Sequence, residues 1–370
     1  MEELKYQIAL GLVPGVGPVV AKKLLGFLGS ASAVFKANDE ALLSVPTIGA
    51  ITCRAIQKSR RSGAIFKVAE EEIKFMTAHG VQPIFYTDAE YPRRLLHCED
   101  SPILLFWKGK TNLNVEKVVG VVGTRQPTDY GKELTRKLIE DLKLHEVLVV
   151  SGLAYGIDAF AHKSALDNDL QTVGILGHGL DRLYPPEHEQ LSKRMLGQGG
   201  LLSEFLSGNE PEKMNFPKRN RIVAGMCDAL IVVESKKTGG ALITADMAME
   251  YGREVFSFPG RAGDEYSEGC NRLIRENKAG LIESAQDVVV EMNWELGKKA
   301  VEKKKCRQME FKFSEEESAL IGLLEDMSPI HFDELCSRLQ LSSGKASGLL
   351  LQLEFCNIVR AMPGKLYALN

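Results

Sequence analysis

The chain has 370 residues, 44% of them apolar and 26% charged, with a formal net charge of −3. At about 150 residues per domain this is room for two or three units, and the balance excludes a disordered or fibrous chain. No apolar run approaches the roughly 18 residues of a membrane span, the acidic start MEELKYQIAL predicts no signal peptide, and a charge of −3 argues against a uniformly basic nucleic-acid binder.

Residues 1–80 read as an all-α unit of short helices with Gly-rich turns. Val13-Pro14-Gly15-Val16-Gly17, followed by Pro18–Leu25, has the pattern of a helix-hairpin-helix in a SAM-like domain. Glycines there let hairpin amides face a phosphate. Gly15, Gly17, Lys22 and Lys23 are therefore secondary DNA-contact candidates. A degenerate copy follows at Val45–Gly49 with only one glycine. A small helical packing module fits the same residues.

Residues 81–294 alternate β-branched runs with helical stretches. The runs are Val118–Val122, Val147–Val150, Thr172–Leu176, Gly200–Leu202, Ala229–Val233, Glu254–Phe258 and Gly280–Ile282. Apolar strands alternating with helices predict an α/β fold, an extended Rossmann-like parallel sheet covered on both faces. Ligands on such sheets sit beyond the carboxyl ends of the strands, so the residues after each run carry the function.

Gly123-Thr124-Arg125 follows the first run: a glycine for close approach, then a guanidinium suited to phosphate. Ser151-Gly152-Leu153-Ala154-Tyr155-Gly156-Ile157-Asp158 follows the second and opens a helix near Ile157, whose N-terminus suits an anion. His162 lies four residues beyond Asp158. Ser151, Asp158 and His162 invite a catalytic-triad reading, but no G-x-S-x-G elbow is present. Lys213–Arg221 holds four cations and no acid. Phe216 among Lys218, Arg219 and Arg221 suits single-stranded nucleic acid, with bases on the ring and phosphates on the cations. A solvated helix start with Phe216 as a staple explains the same stretch. Thr238-Gly239-Gly240 opens another helix.

A P-loop and a G-x-G-x-x-G fingerprint are both absent, so no nucleotide cofactor is expected. The seven cysteines show no C-x-x-C spacing and the histidines no H-E-x-x-H, so neither a disulfide framework nor a metal site is expected. Reduced thiols fit a cytoplasmic protein.

Residues 295–313 form a charged linker: Lys298–Arg307 carries six cations against Glu302. Residues 314–370 fit a winged helix. Ser314 and Glu317 make a capping box, Phe332–Leu339 and Ser342–Phe355 are the next helices, and Ile358–Ala361 with Lys365–Ala368 form the wing. The third helix lacks an Arg, Asn or Gln cluster for base edges, which favours protein contact or a structural role.

Seven motifs, in register over about 120–285, resemble the DNA-processing protein A (DprA/Smf) family of bacteria. They are G-T-R at 123–125, S-G-L-A-Y-G-I-D at 151–158 with His162, G-x-G-L-D-x-x-Y-P-P at 177–186 and F-P-K-R-N-R-I-V-A-G at 216–225. T-G-G-A-L-I-T-A at 238–245, P-G at 259–260 and E-G-C-N-R-L-I at 268–274 complete the set. The resemblance implies a non-enzymatic homodimer that binds and protects incoming single-stranded DNA. It also implies loading of RecA recombinase during natural transformation, past single-stranded-DNA-binding protein. It places the phosphate pocket on Arg125, Lys218, Arg219 and Arg221. The alternative is a Rossmann-like nucleotide-binding protein or a nucleotide N-glycosidic-bond hydrolase. Laid over 238–246, that hydrolase motif keeps Gly239 and Gly240 but has Asp246 at the catalytic glutamate.

Overall fold

The computed structural model describes residues 2–294, 313–356 and 358–369. Most of the predicted charged linker, including Lys298–Arg307, lies outside the described residues.

Six helices come first: α1 (Glu2–Gly11), α2 (Pro18–Leu28), α3 (Ala31–Lys36), α4 (Asp39–Leu43), α5 (Ala50–Ser62) and α6 (Ala64–His79). In the first hairpin Gly15 has φ +80° and Gly17, in extended conformation, precedes Pro18 at the start of α2. The second hairpin turns the same way, with Thr47 at φ +73° where the first has glycine. A β-branched residue is costly there, and Lys23 Nζ donates to the Thr47 hydroxyl at 3.3 Å.

Strands β1 (Gln82–Phe85) and β2 (Leu104–Gly109) flank α7 (Arg93–Leu96). The alternating region follows as β3 (Val118–Val122), α8 (Asp129–Leu142), β4 (Leu148–Ser151), α9 (Ile157–Asp167), β5 (Thr172–Leu176), α10 (Glu189–Gln198) and β6 (Gly200–Ser203). It continues as α11 (Asn215–Met226), β7 (Ala229–Val232), α12 (Gly240–Glu250), β8 (Glu254–Ser257), α13 (Glu268–Arg275), β9 (Gly280–Leu281) and α14 (Ala285–Glu291). Among the described residues these strands form one nine-stranded sheet in the order β1-β2-β6-β5-β4-β3-β7-β8-β9. From β6 to β9 every pairing is parallel. The sheet is not parallel throughout: β2 runs antiparallel to both β6 and β1.

Strand alternation separates two cores. Val118 and Val122 enter one, with Ile222 and Leu230, while Val119 and Val121 enter the other, with Leu138, Ile139 and Leu142. Full burial of each such side chain contributes about 1.5–3 kcal/mol. A third core runs without a break from Leu10, Leu24, Phe35 and Ile56 into Phe85, Leu104 and Phe106. The outer strands β1 and β2 are thus apolar on both faces: Phe85, Leu104 and Phe106 form the floor on which the N-terminal helices pack, and Ile84, Leu105 and Trp107 join the core with Ile222 of α11.

The C-terminal unit comprises α15 (Glu315–Met327), β10 (Ile330–His331), α16 (Phe332–Leu339), α17 (Ser343–Phe355), β11 (Val359–Met362) and β12 (Leu366–Leu369), with a three-stranded sheet ordered β10-β12-β11. The Ser314–Glu317 capping box forms. The unit meets the large sheet where Gly364 N donates to Gly252 O at 3.0 Å and His331 stacks on His97, centroids 3.9 Å apart. Gly252 precedes β8, so the winged helix docks at the amino ends of the parallel strands. The carboxyl ends are left open.

Candidate nucleic-acid interface

A cavity of about 280 Å³ lies at those carboxyl ends. Its walls are the turn after β3 (Gly123, Thr124, Arg125), one face of α11 (Phe216, Arg219, Asn220) and the turn into α12 (Lys236, Thr238, Gly239, Gly240).

Helical periodicity assigns the cations of 216–221. Residues three apart share a face, and residues two apart lie about 200° apart. Phe216 and Arg219 therefore face the cavity together. Arg221 points away, its guanidinium on the Glu204 carboxylate and the Asp100 carbonyl. Lys218 is exposed on the same side of the helix as Arg221, close enough to Glu204 to act on its carboxyl, and does not line the cavity. Phosphate binding expected at Arg221 does not fit this geometry, because the side chain is already spent on a largely buried ion pair.

Arg219 is 3% exposed. One terminal nitrogen, Nη1, donates to the Ile175 carbonyl at 2.7 Å, while Nε is buried without a partner. Burial pushes its guanidinium down to about 10, against the pull of Asp158. A buried cation left short of acceptors is costly, and this one lines the cavity. Arg125 is exposed and sits 5.6 Å from the Phe216 ring centroid in cation–π contact.

The turns divide the work differently from expectation. Asp158, buried, accepts from the amides of Gly152 (3.1 Å) and Ala154 (3.4 Å), and burial raises its carboxyl. Ile157 N donates to Thr124 O at 3.1 Å. Gly156, at φ +81°, leaves no room for a Cβ against the Thr124–Arg125 backbone. The start of α9 is therefore tied to the G-T-R turn rather than offered to an anion. Gly152 contributes space, since a Cβ there would collide with the Arg219 guanidinium. The start of α12 is the open one: Gly239 makes no side-chain cap, and Gly239, Gly240 and Ala241 line the cavity. Its dipole favours an anion.

Two expected ligand residues are behind the wall. Ser151 is fully buried and its hydroxyl donates to Val121 O at 2.6 Å. His162 is fully buried with Nδ1 2.6 Å from the Thr172 hydroxyl, and burial pushes it down to about 3. Both are corrected to core residues: Ser151 adjoins Asp158 and His162, but its hydroxyl is committed to Val121 O and the imidazole to Thr172, so neither faces the cavity. Asp246, the hydrolase alternative's acid, is ion-paired with Lys278 at 2.9 Å and is not among the cavity's lining residues. Among the described residues no cluster of His, Cys, Asp and Glu could hold a metal.

In the N-terminal hairpin Lys22 is not free. Its ammonium donates to Cys98 O, Glu99 O and the Ser101 hydroxyl at 3.1, 3.0 and 2.7 Å, and burial lowers it. It fastens the helices to the sheet, a correction to its reading as a DNA contact.

Sequence reasoning missed Lys236 and Asn220, which line the cavity, and Glu234, which shapes it. Glu234 O accepts from Thr124 N at 2.8 Å, and its carboxylate binds the Thr128 amide and hydroxyl at the start of α8. Lys236 had a signal, a cation two residues before Thr238 in a strand-end turn. Glu234, an acid beside a phosphate site, had none. A side slot lined by Tyr155, Tyr184, Phe216 and Arg219 has room for little more than one water, about 10 Å³.

The family model for DNA recombination-mediator protein A matches residues 82–293, and that for the DprA winged helix domain matches 311–365. Protein Smf of Synechocystis is 37% identical over 77% of this chain and 71% of its own length. The DNA processing protein DprA of Streptococcus pneumoniae is 43% identical over 55% of this chain and 72% of its own. The crystal structure of DNA processing protein A from S. pneumoniae covers 78% of this chain and 97% of that chain, with TM-score 0.66 and 33% identity. DNA processing protein A of Helicobacter pylori, solved for its single-stranded DNA binding mode, covers 58% of this chain and 95% of that chain, with TM-score 0.53 and 28% identity.

Proposed function

Because this chain belongs to the DNA recombination-mediator protein A (DprA/Smf) family, we propose that it binds single-stranded DNA at the carboxyl ends of its parallel strands. The observation that carries the reading is Arg219, a buried guanidinium with an unpartnered Nε beside an uncapped helix start. A backbone phosphate in the cavity meets the charge of the Arg219 guanidinium and the amides of that helix start. Arg125, Lys236 and the Thr238-Gly239-Gly240 turn close around it, and exposed Lys218 on the neighbouring helix face adds longer-range attraction for the strand. Phe216, half-buried beneath Arg125, offers a ring edge for a base.

On this reading the protein is a binder without catalytic residues, acting inside the cell as a homodimer. It shields incoming strands and hands them to RecA past single-stranded-DNA-binding protein during natural transformation. The RecA and dimer assignments rest on family membership alone.

The test is titration of labelled oligo-dT at two salt concentrations. Affinity falls with a log–log slope of roughly −0.7 per phosphate neutralised. Binding that is weaker than micromolar and insensitive to salt rejects the reading, and AMP hydrolysis by the same preparation favours the enzyme alternative. Light scattering that shows only monomer at tens of micromolar rejects the homodimer.

A further inference from the structure

A second, larger cavity of about 820 Å³ opens on the other side of the G-T-R turn, under the loop from β8 to α13. Its volume is in the range of small-molecule sites, and the reading above leaves it unused. Tyr130, Glu234, Arg261, Asp264, Glu265 and Tyr266 line it.

The two cavities share a wall. Lys236, which lines the first, lies 4.7 Å over the Tyr266 ring and 2.8 Å from Glu265. The Tyr266 hydroxyl donates to Gln126, next to Arg125, at 2.8 Å. Glu234 offers its backbone carbonyl to one cavity's turn and its carboxylate to the helix start beside the other. A strand leaving the phosphate pocket over Lys236 enters the second cavity directly.

The chemistry there is opposite. Arg261 is the one cation among the lining residues, against Glu234, Asp264 and Glu265. Glu234 is committed to Thr128 and Glu265 to Lys236. Asp264 is exposed, and no side-chain bond engages its carboxylate among the described residues. Such a cavity repels phosphate. It offers two tyrosine rings, with Tyr130 53% exposed, and a free acceptor. Rings stack bases, and carboxylates accept from exocyclic amino groups such as cytosine N4. Thymine has a carbonyl at that position and meets the carboxylate unfavourably.

We propose that this cavity is a nucleobase subsite adjoining the phosphate pocket, selective for amino-bearing bases, cytosine over thymine, through Asp264 with Tyr130 as a stacking surface. The proposal rests on the single-strand reading above.

The experiment is fluorescence anisotropy of the full chain with oligo-dC and oligo-dT of equal length at neutral pH. The native protein prefers dC by roughly fivefold or more. Asp264→Asn removes or inverts that preference while leaving dT affinity in place. Tyr130→Ala weakens both homopolymers by about fivefold or more, the loss of one stacked base. Equal, salt-sensitive binding of both homopolymers by the native protein overturns the subsite and leaves the underlying reading standing. So does a preference unchanged in Asp264→Asn, or an affinity unchanged in Tyr130→Ala. Failure of the native protein to bind either homopolymer overturns both.

Discussion

The guanidinium of Arg219 lies over the Cα of Gly152, in the space a side chain there would need. Arg219 comes from α11 and Gly152 from the turn after β4, so the glycine is required by a residue 67 positions away. Gly152→Ala is expected to push the guanidinium out of its place and break its bond to Ile175 O. Oligo-dT affinity then falls about as far as in Arg219→Ala, roughly 1–3 kcal/mol for a charged hydrogen bond. Anisotropy on both variants checks this, and a Gly152→Ala protein with native affinity refutes the coupling.

Arg125 lies 5.6 Å from the Phe216 ring and Arg221 follows Phe216 on the same helix, yet their variants should behave oppositely. Arg125→Ala weakens DNA binding by about 1–3 kcal/mol and leaves the melting transition in place, because its side chain is exposed. Arg221→Ala leaves Glu204 buried without its cation and costs about 3–5 kcal/mol of stability, with the folded fraction binding DNA as before. Denaturant melts beside titrations separate the two.

Lys22→Met keeps the apolar stem and removes the ammonium. It is expected to release the loop at 98–101, with faster hydrogen exchange there and a loss of about 1–3 kcal/mol from unsatisfied acceptors. DNA affinity should be unaltered. A large drop in affinity at unchanged stability would return Lys22 to the role of a DNA contact.

Acid should act on the fold through His162. Its folded value is about 3, against 6.5 when unfolded, so below pH 6.5 the unfolded state takes up the proton first. Stability is complete above that pH and declines as pH falls toward 3, by about 2 kcal/mol at pH 5. His162→Gln, which does not titrate, should flatten this part of the urea-midpoint profile.

The winged helix should loosen over a similar window. His97 and His331 face each other with Arg253 and Lys365 nearby, and Asp333 and Glu334 oppose them. Burial, first, and these cations keep both imidazoles below their ordinary range. Protonation places two cations in one stack and removes the Nδ1 acceptor that caps α16 for Asp333 N. Docking is thus full above about pH 6.5 and lost on acidification. Limited proteolysis at pH 7 and pH 5 reads it, and replacing both His97 and His331 with Phe should remove the pH dependence.

Much of this was legible in residue order. Strand runs such as Thr172–Leu176 and Val118–Val122 are apolar because both faces are covered, so their positions and the strand-end location of the site follow from period and punctuation alone. The capping box at Ser314 and the helix start at Ile157 are equally local. Glycine-rich turns and clustered cations could be found in the same way.

What each of those residues does was not local. Ser151, Gly152 and His162 belong to one motif, yet one binds a strand carbonyl, one makes room for Arg219 and one is core. Lys218, Arg219 and Arg221 share a charge, yet the helix sends them to solvent, into the cavity and to Glu204. The apolar face of β1 and β2 that carries Phe85, Leu104 and Phe106 depended on the N-terminal helices packed against it. Residue order alone determined which residue types stand at which strand ends. Only the tertiary structure decided which of them has a free hydrogen-bonding group facing solvent, because that depends on partners brought together by packing across the sheet, and partners are what leave a guanidinium or an amide spent or available.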